Sequence, residues 1–299
     1  MDQRKPLDAN AVSLMVLICL AMGVGHALAK VAGEGLSLVF QSGLRSVVAT
    51  VLLLAWMHWK GIGIWARDAT LWAGVVAGLL FAGEFVFIFA GLAISDAARI
   101  VVFIYLAPCI TAIGLHILIP QERLDARQWA GVLVAFAGMV LAFVEGFGSG
   151  RATLLGDLFG VLGALFWGLL TILVRTTKLA SLTAEKALLY QLAVSGPVLL
   201  AVAWLMGEPG LVRGMEGLTP KVLVAFAYQC LVIGFAGFLA WYWLLRRYIA
   251  NRLGVFSFLT PLFGVAAGVI LLDEPLTASF AAAAVLVGIG IALVNHRRA

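Results

Sequence analysis

Apolar residues run almost unbroken along the chain, and the charged ones collect in short clusters between the runs. Predominantly apolar stretches occupy 9–31, 36–58, 69–92, 97–119, 126–145, 155–177, 184–206, 220–245, 249–271 and 276–295. About 20 such residues, rising ~1.5 Å each in a helix, cross the ~30 Å of hydrocarbon in a bilayer. Each stretch therefore predicts one transmembrane helix, and the ten leave only short loops with no room for a soluble domain. Every backbone polar group inside hydrocarbon must be paired, so the expected fold class is an all-α membrane protein, a bundle of ten spans.

The pattern also repeats. Arg99, Val102, Phe103, Leu106 and Pro108 recur 153 positions later as Arg252, Val255, Phe256, Leu259 and Pro261. After one residue of slippage, Glu122, Leu124, Gly138 and Leu141 are matched by Glu274, Leu276, Gly290 and Leu293. A period of half the chain means two structural halves, not a solenoid of short units. We place them at 1–148 and 149–299, joined through the glycine-rich stretch Gly146–Gly150. Five spans per half is an odd number, so the second half enters the membrane upside down and the repeat is inverted.

Composition agrees with the bilayer as solvent: 63% of residues are hydrophobic, 12% are charged and the mean hydropathy is +1.08. Soluble domains carry roughly a quarter charged residues. The net charge of +5 invites a nucleic-acid reading, but placement of the cations explains it better. Arg4, Lys5, Lys60, Arg67, Arg123, Arg127, Arg175, Lys178, Lys186, Arg246, Arg247, Arg252, Arg297 and Arg298 share one side. Lys30, Arg99, Arg151, Arg213 and Lys221 share the other, with Arg45 inside a span. The positive-inside rule then puts both termini in the cytoplasm of a multi-pass inner-membrane protein. Cys19, Cys109 and Cys230 all fall within spans, which gives no disulfide framework. The first run is too long for a signal-peptide core and is expected to stay as a helix.

The string Ala93-Ile94-Ser95-Asp96-Ala97-Ala98, followed by Tyr105-Leu106-Ala107-Pro108 and Gln121-Glu122-Arg123-Leu124, resembles the EamA repeat of the drug/metabolite transporter superfamily. Phe258-Leu259-Thr260-Pro261 with Asp273-Glu274-Pro275-Leu276 resembles it again, and Leu44-Arg45 and Phe166-Trp167-Gly168 are similar to other recurring pieces of the family. The resemblance covers nearly the whole chain. It implies a carrier of small metabolites, often an exporter, and length and motif order are similar to the bacterial amino-acid exporter branch, aromatic amino-acid exporters included. Ala107 departs from that branch, which often carries an aromatic residue immediately before the fourth-span proline.

A few residues could carry transport. Pro108 and Pro261 sit near mid-span, where a proline lacks its N–H and frees the carbonyls of Ile104 and Ser257. They are expected hinges, or simple kinks. Glu84 is the one acid well inside a span, and Arg45 lies at similar depth with opposite sign, so an intramembrane ion pair is expected. That pair either locks the bundle or leaves Glu84 to meet an amino group or a proton. Tyr105 and Trp167 are the expected substrate-cavity aromatics, with Phe81, Phe103 and Phe256 behind them. Trp241, Tyr242 and Trp243 are expected in the interfacial aromatic belt, and His26 as a packing histidine. Gly74/Gly78 and Gly264/Gly268 are spaced for close helix packing.

No cofactor or metal site is expected, and membrane-enzyme chemistry wants paired carboxylates, a metal cluster or a nucleophile with its base. One deep carboxylate and four scattered histidines supply none of these. A channel would want rings of polar residues or a selectivity loop, and neither is visible. The sequence reads as an exporter of small metabolites working by alternating access, with amino acids first and nucleotide-sugar or drug-like cations as the alternative. Its partners would be a small-molecule substrate and membrane lipid, not nucleic acid, and ten spans suffice for a monomer.

Overall fold

A computed structural model of the chain describes residues 5–63, 70–144, 153–272 and 279–296. Arg4, Arg67, Arg151, Arg297, Arg298, the Gly146–Gly150 boundary and the Asp273–Leu276 motif lie outside the described residues. Span 1 is helix α1 (Ala9–Ala32), span 2 is α2 (Leu38–Trp59) and span 3 is α3 (Leu71–Ile94). Span 4 is broken into α4 (Ala97–Ile104) and α5 (Ala107–Leu118), and span 5 is α6 (Ala126–Phe143). Spans 6 and 7 are α7 (Leu154–Thr176) and α8 (Ala184–Leu205). A short strand, β1 (Val212–Met215), precedes span 8, which runs through α9 (Pro220–Tyr228), a π-helical stretch Gln229–Gly237 and α10 (Phe238–Arg247). Span 9 runs through α11 (Ala250–Gly254), a 3-10 turn Val255–Phe258 and α12 (Leu259–Leu272), and span 10 is α13 (Ser279–Asn295).

Among the described residues, nine helical segments are long and apolar enough to cross a membrane, and the tenth, Ser279–Asn295, is a shorter apolar helix. Their starts follow from local chemistry. Asp8 accepts from the Ala11 N–H at 2.8 Å, and Asp125 and Gln128 form a reciprocal capping box. Thr153, Thr183 and Thr219 cap α7, α8 and α9, the last with Pro220 in the first turn.

The packing pairs show the inverted repeat. Span 1 packs on spans 8 and 9, as span 6 packs on spans 3 and 4. Span 2 packs on 7 and 8, as 7 packs on 2 and 3, while the remaining strong pair joins 5 to 10. Exchanging the two sets of five spans leaves these pairs unchanged. Spans 5 and 10 meet through facing glycines: a Cβ on Gly131 would lie 2.7 Å from the Gly290 carbonyl oxygen, so only hydrogen lets the backbones close. The same holds for Gly23, where a Cβ would lie 2.7 Å from the Gly264 nitrogen. Of the expected small-residue pairs, Gly74 faces Tyr190 and Gly78 faces Val194, so α3 lies close on α8.

The chain start is tied to the α10–α11 junction, with Lys5 N–H donating to the Arg247 carbonyl at 3.0 Å and Ile249 N–H to that of Lys5 at 3.3 Å. At the opposite face, Glu208 accepts from Val39 and Phe40 N–H at the start of α2, at 3.2 and 2.9 Å.

Candidate functional site

Spans 4 and 9 are the two spans that carry the mid-span prolines, and both are interrupted there. In span 4 the helix tightens at Tyr105 and Leu106, where Leu106 N–H bonds to the Phe103 carbonyl, and α5 restarts with Pro108 in its first turn. In span 9 the 3-10 turn ends at Phe258 and α12 restarts with Pro261 close behind. Both prolines are buried. Irregular backbone at membrane depth survives where protein or a cavity surrounds it.

The two breaks present aromatic rings to each other. Tyr105, 4% exposed, stands edge-to-face against Trp167 of α7 with ring centroids 5.6 Å apart. Phe258, the repeat counterpart of Tyr105, lies 6.4 Å from it. Trp167 is one turn beyond Gly163, whose missing Cβ would sit 3.5 Å from the Glu84 carbonyl oxygen. Glu84 is half-buried and lies within electrostatic range of both Tyr105 and Arg45.

Arg45 of α2 is 7% exposed. Its guanidinium carbon lies 4.7 Å from the Phe85 ring centroid and 5.8 Å from that of Phe238, so two aromatic faces hold the group. Its Cγ rests where a Cβ on Gly234 would come within 3.2 Å. Gly234 belongs to the π-helical stretch of span 8, an uncommon conformation that is frequent at functional sites. Gln229, at the start of that stretch, donates to the Gly25 carbonyl of α1 at 2.5 Å. His26 follows, within electrostatic range of Arg45 and exposed. On a helical wheel it stands ~180° from Leu17, which is 60% exposed on the opposite side of α1. Leu17 and His26 are thus exposed on opposite sides of α1, and His26 Nδ1 lies near Gly264 of span 9.

The expected Arg45–Glu84 ion pair is not closed. No hydrogen bond or salt bridge joins them, and Arg45 Nε and Nη2 are buried without a hydrogen-bond partner. The reason is azimuth: α2 packs mainly on α8, α3 on α7 and α8, and the two helices barely touch. Depth alone does not bring side chains into contact. Phe81 is buried in a different cluster from Tyr105, stacked edge-to-face on Phe85 and Phe238 beneath Arg45. Phe103 is partly exposed, with its Cβ filling the space over Gly160, and Phe256 is buried with its carbonyl accepting from Cys19 Sγ at 3.2 Å. Tyr242 is not a belt residue. It is 3% exposed and donates to Gln191 inside the bundle.

One cluster escaped the sequence reading. The Glu122 carboxylate, 1% exposed, accepts from Ala250 and Asn251 N–H at the start of α11, each at 2.9 Å, and pairs with Arg175. Asn251 Nδ2 donates back to the Glu122 carbonyl at 2.6 Å, and Arg175 Nη1 donates to the Leu245 carbonyl at 3.0 Å. This clamp ties the ends of spans 4, 6 and 8 to the start of span 9. Glu122 stood in the string Gln121-Glu122-Arg123-Leu124, but its 53-residue separation from Arg175 hides the pairing. Among the described residues, no group of three His, Cys, Asp or Glu could hold a metal ion.

The model of the EamA-like transporter family matches residues 9–144 and again 154–296. A "Probable amino-acid metabolite efflux pump" of Escherichia coli (strain K12) is 23% identical over 283 residues, 93% of this chain and 92% of that protein. Its namesake in Salmonella typhimurium is 22% identical over the same shares. An "Uncharacterized transporter" of Archaeoglobus fulgidus is 25% identical over 222 residues, 73% of this chain and 74% of its own. One crystal structure superposes with a TM-score of 0.80 at 21% identity, covering 96% of this chain and 98% of the other, which shows the shared fold.

Proposed function

The chain belongs to the EamA-like transporter family, and from that premise we propose that it exports amino acids or close amphipathic metabolites across the cell inner membrane. The observation that carries this reading is the aromatic pair of Tyr105 and Trp167, with Glu84 in electrostatic range of Tyr105 and of Arg45. An apolar surface with a few placed polar groups suits a zwitterion bearing an apolar side chain. The names of the two enterobacterial relatives support the substrate class.

Tyr105 and Trp167 contact the apolar part of the substrate, with Phe103 and Phe256 behind them. Glu84 faces its amino group, and Phe81 supports the polar end from below. The halves, 1–148 and 149–299, rock about the interrupted spans, with Pro108 and Pro261 as hinges, and expose the centre to one side at a time. Both termini face the cytoplasm, and one chain is the working unit.

The test is efflux from proteoliposomes preloaded with a labelled amino-acid mixture, with and without an imposed pH gradient. Release of particular amino acids is expected, and it is expected to ignore the gradient. Release that follows the gradient would make Glu84 a proton carrier. Retention of every amino acid by folded protein would overturn the substrate class and favour nucleotide-sugar or drug-like substrates.

A further inference from the structure

We propose that Arg45 is the carboxylate anchor of the transport site, and that the protein selects substrates bearing a free carboxylate. The inference rests on the transporter reading above and adds to it the group that recognises the acid. Three observations carry it.

The first is an unmet demand. A buried guanidinium needs partners for its donors, because a desolvated charged donor left unbonded is costly. Arg45 is 7% exposed, and its Nε and Nη2 have none. The nearest acid, Glu84, leaves them unbonded, while Phe85 and Phe238 supply only ring faces.

The second is geometry. Nε and Nη2 are the two donors on one edge of a guanidinium, and their parallel N–H bonds match the two oxygens of a carboxylate. The same protein uses the same edge elsewhere: Arg99 holds Asp157 with Nε on Oδ1 at 2.9 Å and Nη2 on Oδ2. In Arg45 that edge is buried and unbonded, on a side chain that lies over the Phe85 and Phe238 rings with its Cγ against Gly234.

The third is access and polarity. His26 of α1 is exposed and lies within electrostatic range of Arg45, which puts a polar, accessible group near the guanidinium. Glu84 is in electrostatic range of Arg45 and of Tyr105. A zwitterion with its carboxylate on Arg45 sets its ammonium towards Glu84 and its side chain towards Tyr105 and Trp167.

The test uses full-length protein in detergent and three probes that differ only at the charged ends: L-phenylalanine, L-phenylalaninamide and 3-phenylpropionate. Binding is read as a ligand-dependent rise in unfolding temperature. Phenylalanine and phenylpropionate are expected to stabilise the wild type, and the amide is not. Arg45→Gln is expected to abolish the response. Arg45→Lys keeps the charge but not the paired donors, and its affinity should fall about tenfold. Should Arg45→Gln fail to fold, Gly234→Ala serves instead, since its Cβ presses on the Arg45 Cγ and should weaken binding of both acids. Amide binding equal to that of phenylalanine would overturn the anchor, as would an unchanged response in the variants or no response to any probe. Phenylpropionate binding by a protein that effluxes no amino acid would sink the amino-acid reading and leave the anchor standing.

Discussion

At the scale of single residues, the aromatic wall and the terminal strap give opposite kinds of expectation. Trp167 stands edge-to-face on Tyr105 and is only half-buried. Trp167→Ala should raise the KM for the best exported amino acid roughly tenfold, about 1.4 kcal/mol of lost apolar contact. Tyr105→Phe keeps the ring and should leave KM within about twofold. Equal KM values for Trp167→Ala and wild type would remove Trp167 from the site. Asp8 works on the fold instead. The Ala11 N–H and then the Tyr248 hydroxyl, which donates to Asp8 at 2.8 Å, hold its carboxyl below the usual aspartate range. A depressed value means that the contact stabilises the fold fully above that range and stops doing so as pH falls through the folded value. The difference in unfolding temperature between wild type and Asp8→Asn should therefore be steady near neutrality and close only in acid, below the usual aspartate range. A gap that persists in acid would mean that Asp8 acts by shape and not by charge.

At the scale of elements, span positions were legible because hydrocarbon imposes length and composition on each helix. The run 9–31 became Ala9–Ala32 and 184–206 became Ala184–Leu205. The breaks in spans 4 and 9 were legible too, since a proline without an N–H cannot continue the ladder. The π-helical stretch of span 8 was not, because Gln229–Gly237 contains no proline and its register answers to neighbours. Gln229 reaches for Gly25, and Gly234 makes room for Arg45. Likewise the sequence set Arg45 and Glu84 at equal depth but carried no record of which way each helix is rotated. The breaks themselves yield an expectation. An alanine at 108 or 261 restores an N–H within reach of the freed carbonyl and stiffens the span. Pro108→Ala and Pro261→Ala should each slow efflux by about tenfold while KM stays within about twofold, as expected when a conformational step limits turnover. Unchanged rates in both would show that the prolines shape the bundle without bending it during transport.

At the scale of the whole molecule, the proposed alternating access requires each face to close in turn, and the Glu122 cluster is the expected closure of one of them. It joins spans 4, 6, 8 and 9 at the face that carries the N-terminus, and all its groups are buried. Removing one partner of such a pair costs about 3–5 kcal/mol where the closed state is retained. A carrier has another course, which is to shift to the state in which that face is open. Glu122→Gln keeps the shape, loses the charge and weakens the bonds to Arg175 and to the α11 N-terminus. In the two-state picture a closed face favoured by a few kcal/mol becomes comparably populated with the open one. The check is labelling of a cysteine placed at buried Leu253, in protein whose Cys19, Cys109 and Cys230 are replaced, with a membrane-impermeant maleimide added on the N-terminal side. Glu122→Gln should speed that labelling severalfold and slow net efflux, because a carrier resting open to one side completes fewer cycles. Labelling that stays slow in a folded, transport-active Glu122→Gln protein would mean that the cluster braces the bundle without gating it, and that closure of this face lies with other contacts.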